Sequence, residues 1–447
     1  MTKRIKVLTF GWEFPPHITG GLGTACYGLT KSLMKQGTDI LFVVPKAYGD
    51  EEIGVIDASE VVMRGEHASP ERTPLRLATS RAEMRVIAVP SAIKPYTSAA
   101  PPAQAVEEWN YVIERSAPTP GSPLVEKVVG RKYKFSGSYG PSLLQEVLRY
   151  GEVASAIAAG EQFDVIHAHD WLTYPAGVAA KKVTRKPLIV HVHATEYDRA
   201  SERNADPRVL AIEKEGMQRA DKVIAVSEWT KNILVLKYGI KREKISVVHN
   251  GIILKRKKAT AGGAPRLAKY MVTFLGRVTY QKGPQFFVEA ARKVLEKFPH
   301  THFVVGGAGD LLPQIMERVA ALRLSSKFHY TGFLKGAQVD QVWSVTDVYV
   351  MPSVSEPFGI APLEAIRAGV PVILSKQSGV SEVMPHAIKA DFWDTDALAA
   401  AICSVLQHKA LAKVLKANAA ESLKKITWDT AARKLNKLYH EVHARTK

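Results

Sequence analysis

The hydrophobic pattern of the chain switches repeatedly between two periods. Short apolar runs of strand length are followed by longer stretches with apolar residues at helical spacing, and the pair recurs. The first unit runs from the strand Ile5–Phe10 through a loop, Gly11 to Gly23. A helical segment follows with Ala25, Leu29 and Leu33 on one face, closed by Gly37, and then a second strand, Ile40–Val44. From residue 141 the same rhythm returns. Helical Leu143–Ala159 precedes the strand Asp164-Val-Ile-His-Ala-His-Asp170-Trp171, then Leu188–His193, Lys222–Val226 and Ile245-Ser-Val-Val-His-Asn-Gly251. Ser227 has the position of an N-cap for a helix reaching Tyr238. Lys255-Arg-Lys-Lys258 and the small residues up to Pro265 have linker composition. A second series begins directly after, with strands at Tyr270–Leu275, Thr301–Val305, Phe328–Thr331, Asp347–Met351 and Val370–Leu374, and with Pro284 at the first position of a helix. A last helix, from Trp428 to about His443, carries Ala431, Leu435, Leu438 and Val442 on one stripe.

Strands alternating with helices at this spacing predict an α/β protein with two doubly wound, Rossmann-like domains facing each other across a cleft. The expected divisions are 1–255, 256–425 and a C-terminal helix at 426–447, which can pack on either domain or cross back to the first. Residues 46–140 interrupt the rhythm. Apart from one strand-like run, Arg85–Val89, they are rich in Pro, Ser, Ala and Gly. They are expected to form an irregular insertion over one face of the first domain.

Composition narrows the class. With 447 residues the chain is too long for one core, and 46% apolar with 23% charged residues is ordinary for a globular protein. No apolar run approaches the roughly 20 residues needed to cross a bilayer, and the N-terminus has no signal-peptide core, so a cytoplasmic location is expected. Cys26 and Cys403 each fall in an apolar helical pattern and read as buried free thiols. No Cys/His spacing suits a zinc site. The net charge of +18 is uneven: 19 Lys/Arg against 9 Asp/Glu in 181–260, and 10 against 3 in 406–447. Such a field favours a nucleotide diphosphate, an anionic membrane surface or nucleic acid. No RRM or KH motif is present, so nucleic acid is not expected. Peripheral contact of 181–260 with the inner face of a membrane stays open.

The candidate chemistry sits after strands. Between Ser353 and Ala365, Glu356 and Glu364 lie eight residues apart, and Gly359 and its successors offer backbone N–H groups at a helix N-terminus. Alone, the two acids could equally complement the helix dipole or bind hydroxyls. Gly20, Gly21 and Gly23 let backbone approach a phosphate, although their spacing is not the dinucleotide fingerprint and no acid ends the second strand. Arg277 and Lys282, five apart on one loop, can reach the same diphosphate. Among His167, His169, His191 and His193, the pair nearest the strand ends, His169 and His193, are the better site candidates. Together these predict a nucleoside diphosphate on the second domain, its ribose diol on Glu364 and its phosphates pointing at Gly20–Gly23.

In order and spacing, Gly20-Gly-Leu-Gly23, His167-Ala-His-Asp-Trp171, Val192-His193, Val248-His-Asn-Gly251, Gly276-Arg277 with Lys282-Gly283, and Glu356-Pro-Phe-Gly-Ile360 with Glu364 carry a resemblance. The chain resembles the GT-B glycosyltransferases of the large retaining group that includes glycogen and starch synthases and bacterial mannosyl- and glucosyltransferases. The resemblance spans nearly everything except 46–140. It implies a metal-independent transfer of a hexosyl group, with glucosyl the first expectation, from a UDP-, ADP- or GDP-hexose to a glycan or lipid-linked acceptor. No cofactor and no metal are implied. Arg277 and Lys282 would neutralise the departing diphosphate, and Glu364 would bind ribose. Glu356 and the backbone at Gly359 and Ile360 would hold the donor. Gly21, beside Gly20, would donate N–H to phosphate, His193 would contact the sugar near the reacting carbon, and Asp170 would meet sugar hydroxyls. Thr19 stands where bacterial glycogen and starch synthases carry Lys, and Phe358 where they carry Cys. Both departures favour a UDP- or GDP-sugar over ADP-glucose. A GT-B sugar-nucleotide epimerase and a non-enzymatic polyanion-binding protein are the competing readings.

Overall fold

The computed structural model describes residues 4–16, 18, 20–45, 143–200, 202–254 and 266–446, together with the backbone of six strands between 46 and 142. Strands β1 (Lys6–Phe10) and β2 (Asp39–Val44) are followed by those six: β3 (Val55–Ile56), β4 (Met63–Arg64), β5 (Leu77–Thr79), β6 (Ala82–Ala88), β7 (Glu108–Arg115) and β8 (Glu126–Tyr133). The first domain continues with β9 (Val165–His169), β10 (Leu188–Val192), β11 (Lys222–Ala225) and β12 (Ile245–Val247). The second contains β13 (Tyr270–Leu275), β14 (Thr301–Gly306), β15 (Phe328–Gly332), β16 (Val348–Met351), β17 (Val372–Ser375) and β18 (Ile388–Ala390).

Helix α1 (Gly21–Lys35) joins β1 to β2. Helices α2 (Leu143–Ala159), α3 (Tyr174–Thr184), α4 (Glu196–Arg199), α5 (Pro207–Arg219) and α6 (Glu228–Tyr238) serve the later strands of the first domain. The second domain carries α7 (Pro284–Lys297), α8 (Leu312–Ala321), α9 (Ala337–Val345), α10 (Ala361–Arg367), α11 (Val380–Val383), α12 (Thr395–Gln407) and α13 (Lys409–Leu423), and α14 (Trp428–Ala444) ends the chain.

The first sheet has the order β12-β11-β10-β9-β1-β2-β6-β3, parallel throughout, with β5 antiparallel on β6. The second, β15-β14-β13-β16-β17-β18, is also wholly parallel. Helices cover both faces of each, which is why the central strands are apolar along their length. In each sheet the strand order reverses at the centre: between β1 and β9 in the first, and between β13 and β16 in the second. The crevice outside those strand ends is where a doubly wound sheet binds ligands.

The expectation for 46–140 needs correction. It is not simply an irregular insertion, because β6 pairs in parallel with β2, Ile40 opposite Met84 through Val44 opposite Ala88, and so extends the main sheet. β4, β7 and β8 form a separate antiparallel sheet. The linker-like 255–265 and Thr19 lie outside the described residues. Among the described residues no single helix is long and apolar enough to cross a membrane.

The last helix docks on the first domain. Trp428, Ala431, Leu435, Tyr439 and Val442 share a core with Val7 of β1 and with Ala25, Leu29 and Leu33 of α1. Two glycines make the close approach possible. A Cβ on Gly28 would lie 2.4 Å from the Trp428 ring, and one on Gly251 would lie 2.2 Å from the Trp428 nitrogen. Ile252 N–H donates to Ile426 O at 3.2 Å, so the chain's return from the second domain runs beside its exit from the first. Trp428→Ala should therefore destabilise the protein by about 3–5 kcal/mol in urea unfolding. A loss below about 1 kcal/mol would mean that α14 contributes little to the core.

Candidate active site

The candidate donor-site residues sit at the carboxyl ends of strands at or beside one of the two reversals, on the loops or in the first turns of the helices that follow. Gly20 and Gly21 follow β1, Asp170 follows β9, and His193 follows β10. Arg277 and Lys282 follow β13, while Glu356, Gly359, Ile360 and Glu364 follow β16. The two domains bring these loops together: a Cβ placed on Gly21 would lie 3.9 Å from the Ile360 side chain. Helix α1 starts at Gly21, one turn earlier than the glycine pattern implied, with Gly20 as its N-cap. Glu13, unremarked in the sequence, accepts the Gly23 N–H at 3.0 Å and anchors this turn.

On the second domain, the β13 loop lies directly against the β16 loop. Gly283 adopts φ +63°, and a Cβ there would be 2.1 Å from Pro352 O, so glycine is required on both counts. Val354 N–H donates to Gln281 O at 2.9 Å. Lys282 Nζ consequently meets Glu356 Oε2 in an ion pair, which Ser353 Oγ joins at 3.3 Å. Glu356 is only 6% exposed, so the ammonium is its necessary counter-charge. Exposed Arg277 donates to Gln281 Oε1 at 2.9 Å. Glu364 lies in the first turn of α10, and burial pushes its carboxyl above the usual carboxylate range. Beneath the loop, burial and then Glu356 and Glu364 hold the Tyr349 phenol protonated.

On the first domain, Asp170 takes a positive φ of 61° and turns its carboxylate along the strand ends. Its Oδ1 accepts from His193 N at 2.7 Å and Ala194 N at 3.3 Å. Asp170 therefore positions His193. His193 Nε2 lies 2.9 Å from His169 Nδ1, and His169 itself is 2% exposed, behind His193 rather than beside it in the cleft. Burial lowers the affinity of His193 for a proton, with Asp170 opposing in part, so a neutral ring faces the cleft.

A polar network that the sequence did not reveal fixes the loop after His193. Arg199 Nη2 donates to Ala194 O at 2.9 Å, and its Nη1 contacts Glu213 Oε1 at 3.2 Å. Glu213 also accepts from Glu196 N at 2.9 Å and from the Tyr238 hydroxyl. Asp198 closes a capping box with Thr195 and accepts from Ser355 Oγ of the second domain. Further bonds cross the cleft nearby. Ser227, the N-cap of α6, donates to Pro357 O, and Trp229 Nε1 donates to Ser355 Oγ at 3.1 Å. Glu382 of α11 accepts from Glu228 N at 2.9 Å and Trp229 N at 2.7 Å and meets His249 Nε2 at 3.0 Å. A cavity of about 480 Å³ opens elsewhere, between His249–Asn250, α13 and the start of α14, and no residue of the loops after β13 and β16 lines it.

Comparison with known proteins agrees with this arrangement. Family models match in succession along the chain: the starch synthase catalytic domain over residues 6–99, glycosyltransferase family 4 over 110–256 and glycosyl transferases group 1 over 256–422. An uncharacterized glycosyltransferase of Methanocaldococcus jannaschii is 25% identical over 97% of this chain and 98% of its own length. The glycogen synthase of Mycobacterium tuberculosis is 24% identical over 97% of this chain and 94% of its own. Among solved structures, sucrose-phosphate synthase from Thermosynechococcus elongatus superposes with a TM-score of 0.69 at 18% identity, covering 99% of this chain and 100% of that one. The catalytic domain of Arabidopsis thaliana starch synthase IV, bound to ADP and acarbose, gives 0.64 at 15%, covering 99% and 100%. The fold is GT-B and the protein is a glycosyltransferase. Its sequence is similar to the glycogen-synthase-like group of these enzymes.

Glu213 supplies a pH test of the network behind His193. Burial outweighs Arg199 and raises its carboxyl from 4.5 to about 7. Because the folded value lies above the unfolded one, this group's stabilising contribution is complete below pH 4.5 and fades as pH rises through about 7. Glu213→Gln stays neutral, so its unfolding free energy relative to wild type should rise between pH 5 and 8, by up to about 3 kcal/mol. A pH-independent difference would show that Glu213 is already ionised at pH 5.

Proposed function

We propose that the protein is a retaining glycosyltransferase that moves a hexosyl group, glucosyl first among candidates, from a nucleotide-diphosphate sugar to a hydroxyl of a glycan or lipid-linked acceptor. The observation that carries this reading is the meeting of the Gly21 turn with the Ile360 loop, beside the Lys282–Glu356 pair. A diphosphate there is flanked by Arg277, Lys282 and the first turn of α1, which supply positive charge without a metal. Preorganised cations aimed at a leaving group act on charge that develops in the transition state, a contribution of about 3–4 kcal/mol per donor. Glu364 takes the ribose hydroxyls. Glu356 and the backbone at Gly359 take the sugar, and neutral His193 contacts it near the reacting carbon. No cofactor is required. UDP- and GDP-sugars are favoured over ADP-glucose by Thr19 and Phe358.

Steady-state kinetics with ADP-, UDP- and GDP-hexoses test the roles. Lys282→Ala and Arg277→Ala should each lower kcat by about 10²–10³. Glu364→Ala should chiefly raise the donor KM, by about tenfold or more. Unchanged transfer in all three variants would contradict the reading. Conversion of a sugar nucleotide to its epimer without any acceptor, followed by NMR, would identify an epimerase instead.

A further inference from the structure

The face of the first sheet beneath α1 and α14 carries a ladder of four imidazoles. His167 and His169 alternate along β9, His191 lies on β10 opposite His169, and His193 follows β10 directly. Ring centroids are 4.1 Å apart for His167 and His169, 4.3 Å for His191 and His193, and 5.2 Å for His169 and His193. Burial lowers the proton affinity of all four. Each neutral ring keeps one unprotonated nitrogen. Few of these nitrogens have partners: the Tyr439 hydroxyl meets His167 Nδ1 at 2.8 Å, and His169 Nδ1 meets His193 Nε2. His167 Nε2, both nitrogens of His191 and His193 Nδ1 are buried without one. Orphaned polar atoms in such number are uncommon in a packed core. The transfer reaction uses only His193.

Two groups on this ladder converge tightly. The ligand atoms of His167, His169 and His191 lie within 4.8 Å of one another, as do those of Cys26, His169 and His193. The inner group is wholly buried and offers three neutral rings with no anionic ligand. The outer group differs in each respect. Cys26, on α1, brings a thiol that becomes anionic on coordination. Burial first, and then Asp170 and Glu13, oppose the negative charge of that thiol, and the same two carboxylates attract a cation. His193 is only half-buried and opens to the cleft, which provides a route of entry.

We propose that Cys26, His169 and His193 bind a thiophilic divalent ion of the zinc type, its fourth position open toward the cleft. One thiolate and two imidazoles form an established donor set for such ions, which accept tetrahedral nitrogen and sulfur ligands. Binding releases the thiol proton, and the ring that donates in the His169–His193 hydrogen bond takes its other tautomer. Because the ion occupies His193, it inhibits transfer. The inhibition rests on the proposed role of His193; the binding does not.

Cobalt(II) is the probe. Titrated into the metal-free full-length protein, it should saturate at one equivalent and produce a thiolate-to-cobalt charge-transfer band in the near ultraviolet. Cys26→Ser should abolish the band and weaken binding by about tenfold or more, whereas Cys403→Ser should retain both. Cys26→Ala, compared with wild type by metal-free unfolding curves, guards against a folding defect. Absence of the band in wild type, or its persistence in Cys26→Ser, would overturn the proposal. Zinc should also inhibit transfer by wild type but not by Cys26→Ser. A cobalt band without zinc inhibition would keep the site and reject the role assigned to His193.

Discussion

A carboxylate almost wholly removed from water sets the terms for the side of the cleft proposed to take the donor. Glu356 is held at the end of β16 with Lys282 as its counter-charge and Ser353 as a further donor. Removing one partner of a buried pair typically costs about 3–5 kcal/mol, because the other is left uncompensated. The two loops must therefore stay together, and Gly283 against Pro352 with Gln281 against Val354 provide the backbone contacts that keep them so. In the proposed reading a diphosphate gives Lys282 a second anion to serve, and donor binding and the placement of Glu356 are linked through one ammonium group.

The first domain grips that same loop. Ser227 and Trp229 reach Pro357 and Ser355, Asp198 takes the Ser355 hydroxyl, and Glu382 caps α6 from the opposite side. These bonds connect the loop after β16 to the segment that carries His193, which Asp170 and Arg199 hold by its backbone. Both halves of the site thus depend on contacts across the cleft. The chain also crosses between domains twice at one place, near Ile252 and Ile426, where Trp428 is packed against two glycines. A pivot there and hydrogen bonds at the mouth are what a cleft that opens for its substrates requires.

Much of this was legible in the sequence because parallel strands buried on both faces read as nearly continuous apolar runs. Their loops at the sheet reversals carried the phosphate-seeking glycines and cations. The strand-like run at Arg85–Val89 is visible, but its place beside β2 is not, since pairing across about 40 intervening residues leaves no local mark. Asp170 shows a different limit. That its carboxylate holds two backbone N–H groups leaves no mark in the local sequence. Asp198, Arg199, Glu213, Ser355 and Glu382 carry no sequence mark for a related reason: single polar residues on helices and loops acquire their roles only from partners brought in by the fold. The histidines stood out as a pattern, while their stacking into one ladder depends on the register of β9 with β10.

The link between Lys282 and Glu356 is tested most directly by calorimetric titration of the free nucleoside diphosphate into wild type and Glu356→Gln. If the ammonium is shared between carboxylate and diphosphate, the neutral variant releases Lys282 and binds the diphosphate more tightly than wild type, while losing transfer of the sugar. Weaker or unchanged diphosphate affinity, with transfer retained, would contradict the account.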